Sequence, residues 1–446
     1  MGLIIGVGNT MPKFPYDYYY GVEINTTVAN SQLTRIGRPE LHVSLPIQSR
    51  MRRCLLKDDG TVNYYLHAND STLRDTGAAA DLNGVSGQVM VEIPEHWRKF
   101  EFEDTKWRVL LSEFQLPGFH FVPKTYRSAY EAAIDRTTSS QPKLCSVVNT
   151  APEFRGGANS SAEIAHDADG GSSLGKPATN VSLTNFRTYA RRRGTAGKNG
   201  AGWNCDVYDI QKSVYWLYTV EYANLNCQAT YNAAPTSEGY KQGGLGAGVT
   251  DLTAGNITGM TGGTYACIPC GTTNSLGNKT GIVAYAMPAA YNATKTTNVP
   301  SYRGLENPFG HLWSWTDGCK CRIQSNDSGG LSEFLICDLP DKFQDSTYND
   351  YEKRGNLPRN EGYVKEMLIG EFGENMPKLA TGGSSTTYFS DYFYTNIPAS
   401  SEAMRGVFFG GAAYIGAVAG FACAYTSNAA SNTYADIGSR LCFIPA

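Results

Sequence analysis

Tyr302-Arg303-Gly304-Leu305-Glu306-Asn307-Pro308-Phe309-Gly310-His311-Leu312-Trp313-Ser314-Trp315-Thr316-Asp317-Gly318 is the most informative stretch of this 446-residue chain. Trp313 and Trp315 flank Ser314. Side chains alternate along a strand, so both indoles point to one face and pack together there. Asn307 and Gly310 shape the loop that leads into that strand. Taken alone, the stretch is a buried aromatic strand that would serve any β domain.

The second informative region is the C-terminus. From Gly406 to Ala435 there is no charged residue, and Gly406–Gly410 and Gly416–Gly420 have G-x-x-x-G spacing. The segment contains no Leu and carries five Gly in its first fifteen residues. That composition argues against a membrane span, and no membrane insertion is expected.

Upstream lie two helical patterns. Ser182 to Arg193 puts Phe186, Tyr189 and Ala190 on one face, with Ser182 or Thr184 as cap and Gly194 as stop. Its terminal Arg191-Arg192-Arg193 reads as a solvated helix end that suits the dipole. Asp206 to Asn226 repeats Ile210, Val214 and Leu217 at helical spacing, with Asp206 as expected N-cap. Asp209 and Glu221 on this helix are twelve residues apart and need not converge. Residues 242–250 are Gly-rich but match neither a dinucleotide fingerprint nor a phosphate loop.

Residues 1–105 read as a small β domain, a scaffold or attachment module. Gln88 to Ile93 is a strand run, and Asp58-Asp59-Gly60 between Leu55-Leu56 and Val62–Tyr65 is a hairpin signal. The expected fold is α+β: this domain, then a large domain over 106–446 with two helices and irregular β structure.

Composition narrows the function. Lys plus Arg is 38 and Asp plus Glu is 41, which gives no electrostatic case for nucleic acid. Tyr (28) and Gly (48) are abundant, as suits turns and rigid amphipathic contact surfaces. The eleven Cys include Cys267-x-x-Cys270 and Cys319-x-Cys321. These pairs lie far apart with Pro269 inside the first, so buried free thiols are expected rather than zinc. Such thiols fit assembly in a reducing cytosol. Met1 to Asn9 has no basic segment and too short an apolar run for a signal peptide. His42, His67, His96, His120, His166 and His311 form no metal-spaced pair.

The 302–318 stretch resembles the N-x-F-G…W-x-W core motif of the formylglycine-generating-enzyme type of C-type lectin fold, through Asn307, Phe309, Gly310, Trp313 and Trp315. The C-terminus, from Met404-Arg405-Gly406 to Ile437-Gly438-Ser439-Arg440-Leu441-Cys442-Phe443, resembles the variable region of proteins diversified by retroelements. In that family an adenine-targeting reverse transcriptase rewrites codons, commonly of Asn type, on a lectin-fold surface. The family includes phage tail receptor-binding proteins. Thr184-Asn185-Phe186-Arg187, Gly243-Gly244-Leu245-Gly246 and Met51-Arg52-Arg53-Cys54-Leu55-Leu56 carry a wider likeness to tail proteins of phages and prophages of gut Bacteroides-type bacteria.

The resemblance implies that 106–446 is a C-type-lectin-fold ligand-display domain with a variable region at about 405–443. It implies a diversified surface for host-cell attachment, not an enzyme, with no cofactor and no metal. Implied partners are a host cell-surface receptor (protein or glycan), other tail proteins and two further copies in a homotrimer. The implied location is the virion tail, after synthesis in the host cytoplasm. A fixed frame would include Gly410, Gly411, Gly416, Ala417, Gly420, Phe421, Gly438 and Arg440. The ligand-binding positions would be Phe408, Phe409, Ala412, Tyr414, Ile415, Val418, Ala422, Cys423, Tyr425, Asn428, Asn432 and Tyr434. Residue content agrees: changing the adenines of AAC or AAT cannot give Lys, Glu, Gln, Met or Trp, and Gly406 to Ile437 contains none of them. Two alternatives stay open. One is a bacterial surface adhesin with the same variable domain. The other is an enzyme of the formylglycine-generating type, which would need a metal and a reactive Cys pair; Cys423 and Cys442 lie in the right general region.

Overall fold

The computed structural model describes residues 15–168, 171–194, 202–252, 266–288 and 295–446. The Met1–Asn9 stretch lies outside them. The fold is α+β, mostly sheet with few helices.

Local chemistry sets several elements directly. Asp59 accepts from the Thr61 amide at 2.8 Å and hydroxyl at 2.6 Å, and Gly60 takes φ 82°. That turn closes the hairpin between strands Arg52–Leu56 and Val62–His67. Gln88–Ile93 is a strand buried along its whole length. The helix Leu183–Arg191 is capped by Ser182, whose hydroxyl accepts from the Asn185 amide. Its basic end is not a solvated one: Arg193 is buried and donates to Asp58 at 2.7 Å.

The long helix, Tyr208–Tyr222, is buried on every side except at Asp209. An all-round apolar helix needs cover on all faces. It packs on strands Tyr20–Asn25 and Lys106–Ser112 and on the strand Trp313–Gln324. Ala223, in the left-handed conformation (φ 48°), ends it. Asp206 is not its cap. Val207 holds that position without a side-chain bond, and the Asp206 carboxylate instead pairs with Arg127 and accepts from Ser314.

Three sheets surround this helix. One runs 34–37, 20–25, 106–112, 96–103, 120–122. A second runs 202–205, 441–444, 125–128, 88–93, 52–56, 62–67, 70–74. The third runs 352–356, 332–336, 313–324, 402–410, 420–425, 392–394, 362–363, with Ile437–Ser439 pairing in parallel beside Trp313–Trp315.

The expected division at 105/106 is corrected by these pairings. Residues 104–105 are the turn of a hairpin between His96–Glu103 and Lys106–Ser112. Strand Gln88–Ile93 pairs with Thr125–Ser128, which pairs with the C-terminal strand Leu441–Ile444. Residues 1–105 therefore share sheets with the rest of the chain. A fragment ending at 105 would lose partners of three strands, Tyr20–Asn25, Gln88–Ile93 and His96–Glu103, and expose their backbone groups. It is expected to be unfolded by circular dichroism. The full chain nicked at an engineered protease site in the Asp104–Thr105 turn is expected to stay folded, its pieces co-eluting on a sizing column. A stably folded 1–105 fragment would restore the two-domain division.

Candidate functional site

The C-terminal face is built on two strands, Glu402–Gly410 and Gly420–Tyr425, and the loops that leave them, 411–419 and 426–436. From Gly406 onward the first strand, and nearly all of the second, is covered on both faces. Phe408 stacks on Tyr425 (4.6 Å, 13°) and meets Trp313 and Trp315 edge-on at 5.1 and 4.8 Å. On the opposite face, Phe409 stacks on Tyr208 of the long helix at 6.0 Å.

Two glycines of these strands, Gly406 and the frame residue Gly420, answer to close approaches. A Cβ on Gly406 would lie 2.6 Å from the Trp315 ring, and one on Gly420 would lie 1.8 Å from Asp391 Oδ1. Arg440, wholly buried, donates to the carbonyls of Glu306 (2.5 Å), Asn307 (2.6 Å) and Ser128 (3.2 Å). Asn307 and Gly310 both take positive φ (44° and 87°) in the loop they were expected to shape.

This burial corrects part of the expected ligand-binding set. Phe408, Phe409, Ala412, Ala422 and Cys423 are core residues. Period-two alternation exposes one face only where the other side of a sheet meets solvent, and neither strand is so placed. Tyr414 and Tyr434 are exposed at 41% and 45%. Ile415, Val418, Tyr425, Asn428 and Asn432 are half-buried. Of the expected frame, Ala417 is exposed. The Tyr414 hydroxyl donates to Asp436 at 2.8 Å, tying the 411–419 loop to the 426–436 loop. Burial raises the Asp436 carboxyl above its ordinary range, and the Tyr414 bond partly offsets this.

Sequence reading missed a row of tyrosines. Tyr425 stacks on Tyr394 (5.2 Å), Tyr394 meets Tyr392 (4.6 Å) and Tyr392 meets Tyr363 (5.1 Å). All are half-buried, so the row runs from the indole cluster toward the surface. Tyr392-Phe393-Tyr394 carried the signal: alternation puts its two tyrosines on one face and Phe393 in the core.

The thiols are all unpaired and buried. Burial pushes both Cys423 and Cys442 upward, away from the thiolate form. Cys442 donates toward Asp206 at 3.6 Å. Neither is accessible as a nucleophile. Cys270 is directed at the Glu131 carbonyl and Cys319 at the Thr316 carbonyl. Among the described residues, no group of three or more His, Cys, Asp or Glu could hold a metal ion. No helix among them is long and apolar enough to cross a membrane.

His311 is fully buried with Nδ1 2.5 Å from Glu131. The carboxylate favours an imidazolium, but the amides of Cys267 and Ile268 both aim at Nε2. They need a lone pair there, so the ring is the neutral Nδ1–H tautomer. It is a structural strut.

The chain matches no protein-family model, and no curated protein matches it at a significant level.

Frame and loops should respond oppositely to substitution. Gly420→Ala drives a methyl into Asp391 and is expected to cost about 1–3 kcal/mol or more. Tyr414→Ala and Tyr434→Ala should each stay within about 1 kcal/mol, because they remove exposed side chains. Urea denaturation measures both, and equal losses would count against a frame-and-loop division.

Asp391 gives a pH test. It is buried with no cation paired to it among the described residues, and burial holds its carboxyl well above the usual range despite amide bonds from Ala422 and Cys423. The native state therefore keeps a proton that the unfolded chain releases near pH ~4. Its stabilising contribution is complete below that value and is lost as pH rises through the raised native value. Asp391→Asn should flatten this fall, so that the melting temperature of the variant changes less between about pH 5 and pH 8. Parallel profiles for variant and parent would show that Asp391 is ionised in the fold.

Proposed function

We propose that this chain is a phage tail receptor-binding protein whose C-terminal face carries a diversified ligand-binding surface. The proposed architecture is a C-type-lectin-type frame of the formylglycine-generating-enzyme kind, in three copies on the virion tail. The corrected binding set is Tyr414, Ile415, Val418, Tyr425, Asn428, Asn432 and Tyr434.

The observation that carries this reading is the contrast at the face. Tyr414 and Tyr434 stand exposed on loops that adjoin the buried strand segments 406–410 and 420–424. Loop positions on a rigid frame can change without unfolding it. Exposed tyrosines are rigid, amphipathic and low in entropy cost, which suits contact with a protein or a glycan. The restricted residue content of Gly406 to Ile437 supports the same reading. Several copies on one tail would offset weak single-site binding through effective concentration.

The test begins beside the gene. A second copy of the region encoding the C-terminal segment, differing almost only at adenines, should lie there with a reverse transcriptase. Its mismatches should fall on codons for the seven named positions and spare those for Phe408, Phe409, Ala412, Ala422 and Cys423. Neighbouring phage structural genes would place the protein on a virion; cell-surface genes would favour an adhesin. With purified protein, the double variant Tyr414→Ala/Tyr434→Ala is expected to lose binding to host cells by about thirtyfold or more, as removing interface anchors does. A missing repeat together with undiminished cell binding would sink the proposal.

A further inference from the structure

A cavity of about 440 Å³ lies beside the start of the long helix, and no residue of the display face lines it. Its walls carry charges that the fold does not fully satisfy. Arg98 is only 6% exposed, yet among the described residues no carboxylate lies within ion-pairing distance of its guanidinium. Its one side-chain hydrogen bond goes to the Ser213 hydroxyl at 3.3 Å. The other charges at the cavity are mostly spoken for. Asp209 pairs with Lys212 (3.2 Å), Asp338 with Arg354 (2.7 Å) and Glu371 with His120 (3.3 Å). Glu374 accepts from Tyr208 at 2.8 Å through Oε2, but its buried Oε1 has no hydrogen-bond partner. The buried Arg354 Nε has none either. It stands 3.8 Å from that oxygen, too far for a good bond.

Buried polar groups without partners are rare and costly, and a buried cation without an anion more so. Here a buried guanidinium that Asp209 and Glu374 act on only from beyond ion-pairing distance, and a Glu374–Arg354 ion pair whose facing atoms make no hydrogen bond, border one cavity. Phe121 and Phe372 stand at its mouth, exposed at 52% and 43%. The first turn of the long helix also borders it, with no side-chain cap, and its dipole favours an anion.

We infer that this cavity is a binding site for an acidic sugar unit, a pyranose carrying a carboxylate. The carboxylate meets Arg98, which offers a planar fork for it. Ring hydroxyls, which both donate and accept, satisfy Glu374 Oε1 and Arg354 Nε. The C–H face of the ring lies on Phe121, because the Phe372 ring is already covered by the Arg354 guanidinium at 4.8 Å. The volume falls in the range of small-molecule pockets. An inorganic anion would leave Glu374 and the aromatic faces unused, and an aromatic acid would leave Glu374 Oε1 and Arg354 Nε unpaired. The site is independent of the display surface and stands or falls apart from it.

Calorimetry with the full chain tests this, using D-glucuronate, D-glucose and benzoate as probes. Glucuronate should bind, glucose should not, and benzoate should bind more weakly than glucuronate. Arg98→Met should weaken glucuronate by about tenfold or more. Without ligand, the same variant should melt at a higher temperature, because it removes an unpaired buried cation. A merely structural Arg98 would give the opposite shift. Phe121→Ala, at a half-exposed position whose ring packs on Trp97 at 5.2 Å, should weaken glucuronate several-fold while the variant stays folded by circular dichroism. The inference is overturned by no glucuronate binding up to ~10 mM, by benzoate binding as tightly, by a lower melting temperature of Arg98→Met, or by unchanged affinity in Phe121→Ala. If a host polysaccharide rich in such units competes with glucuronate, the source is a glycan chain; if only the free acid binds, it is a metabolite.

Discussion

The buried pair Arg127–Asp206 is the constraint on which the rest of the structure turns. Arg127 donates twice to the carboxylate, at 2.9 and 2.6 Å, with both groups almost wholly out of water. A buried ion pair carries a desolvation cost that good geometry and further hydrogen bonds must offset. Ser314 supplies one at 2.9 Å, and Cys442 adds a weak thiol donor. Four elements meet at this carboxylate: the strand Thr125–Ser128, the lead into the long helix, the tryptophan strand and the C-terminal strand. If any one is displaced, a charge or a donor is left buried and unpaired. The pair thus contributes less to net stability than to uniqueness, because it permits one arrangement of those four segments.

The same logic runs through the 302–318 stretch. Arg303 pairs with Glu221 of the long helix at 2.6 Å. Glu306 accepts from the Gly271 and Thr273 amides. His311 is held by Glu131, and Asp317 accepts twice from Arg187, which also reaches Asp345. Arg303, Glu306, His311 and Asp317 each join a different distant segment. The two tryptophans do the apolar half of the task by clamping Phe408. What looks in sequence like an aromatic strand is the hub of a polar network with aromatic walls. Such a network rigidifies a fold only when every member is satisfied.

How much of this was legible follows from the range of each interaction. The Asp59 turn, the Gln88–Ile93 strand and the Ser182 cap depend on neighbours within a few residues, so their sequence signatures are complete. Asp206 carried the signature of an N-cap, but a partner 79 residues away took its carboxylate. The boundary at 105 read as a change in composition, whereas strand pairing across it is a fact about residues 88–93, 125–128 and 441–444 together. Phe408 and Phe409 read as candidates for exposure because a sheet covered on both sides cannot be told from an open one by a short apolar run. Arg53, Arg98, Arg127, Arg187 and Arg440 are all buried, and no local pattern announces it. Arginine tolerates burial when its planar donors find carbonyls or carboxylates, and those partners come from remote chain segments.

Arg98 departs from that pattern, and the departure separates the two surfaces of this molecule. The tryptophan strand serves both: Trp313 and Trp315 hold Phe408 beneath the display loops, and Gly318 on the same strand borders the Arg98 cavity. At the loops, most side chains lie outside the network, so exchanging them disturbs few buried donors and acceptors, the Tyr414–Asp436 bond being the exception. At the cavity, the groups are themselves buried and incompletely hydrogen-bonded, a cost that the proposed ligand would relieve. A surface of the first kind can change from copy to copy and still fold. A surface of the second kind has its ligand written into its core, and change there costs recognition and packing at once. One rigid frame can therefore carry a site free to vary and a site that is not.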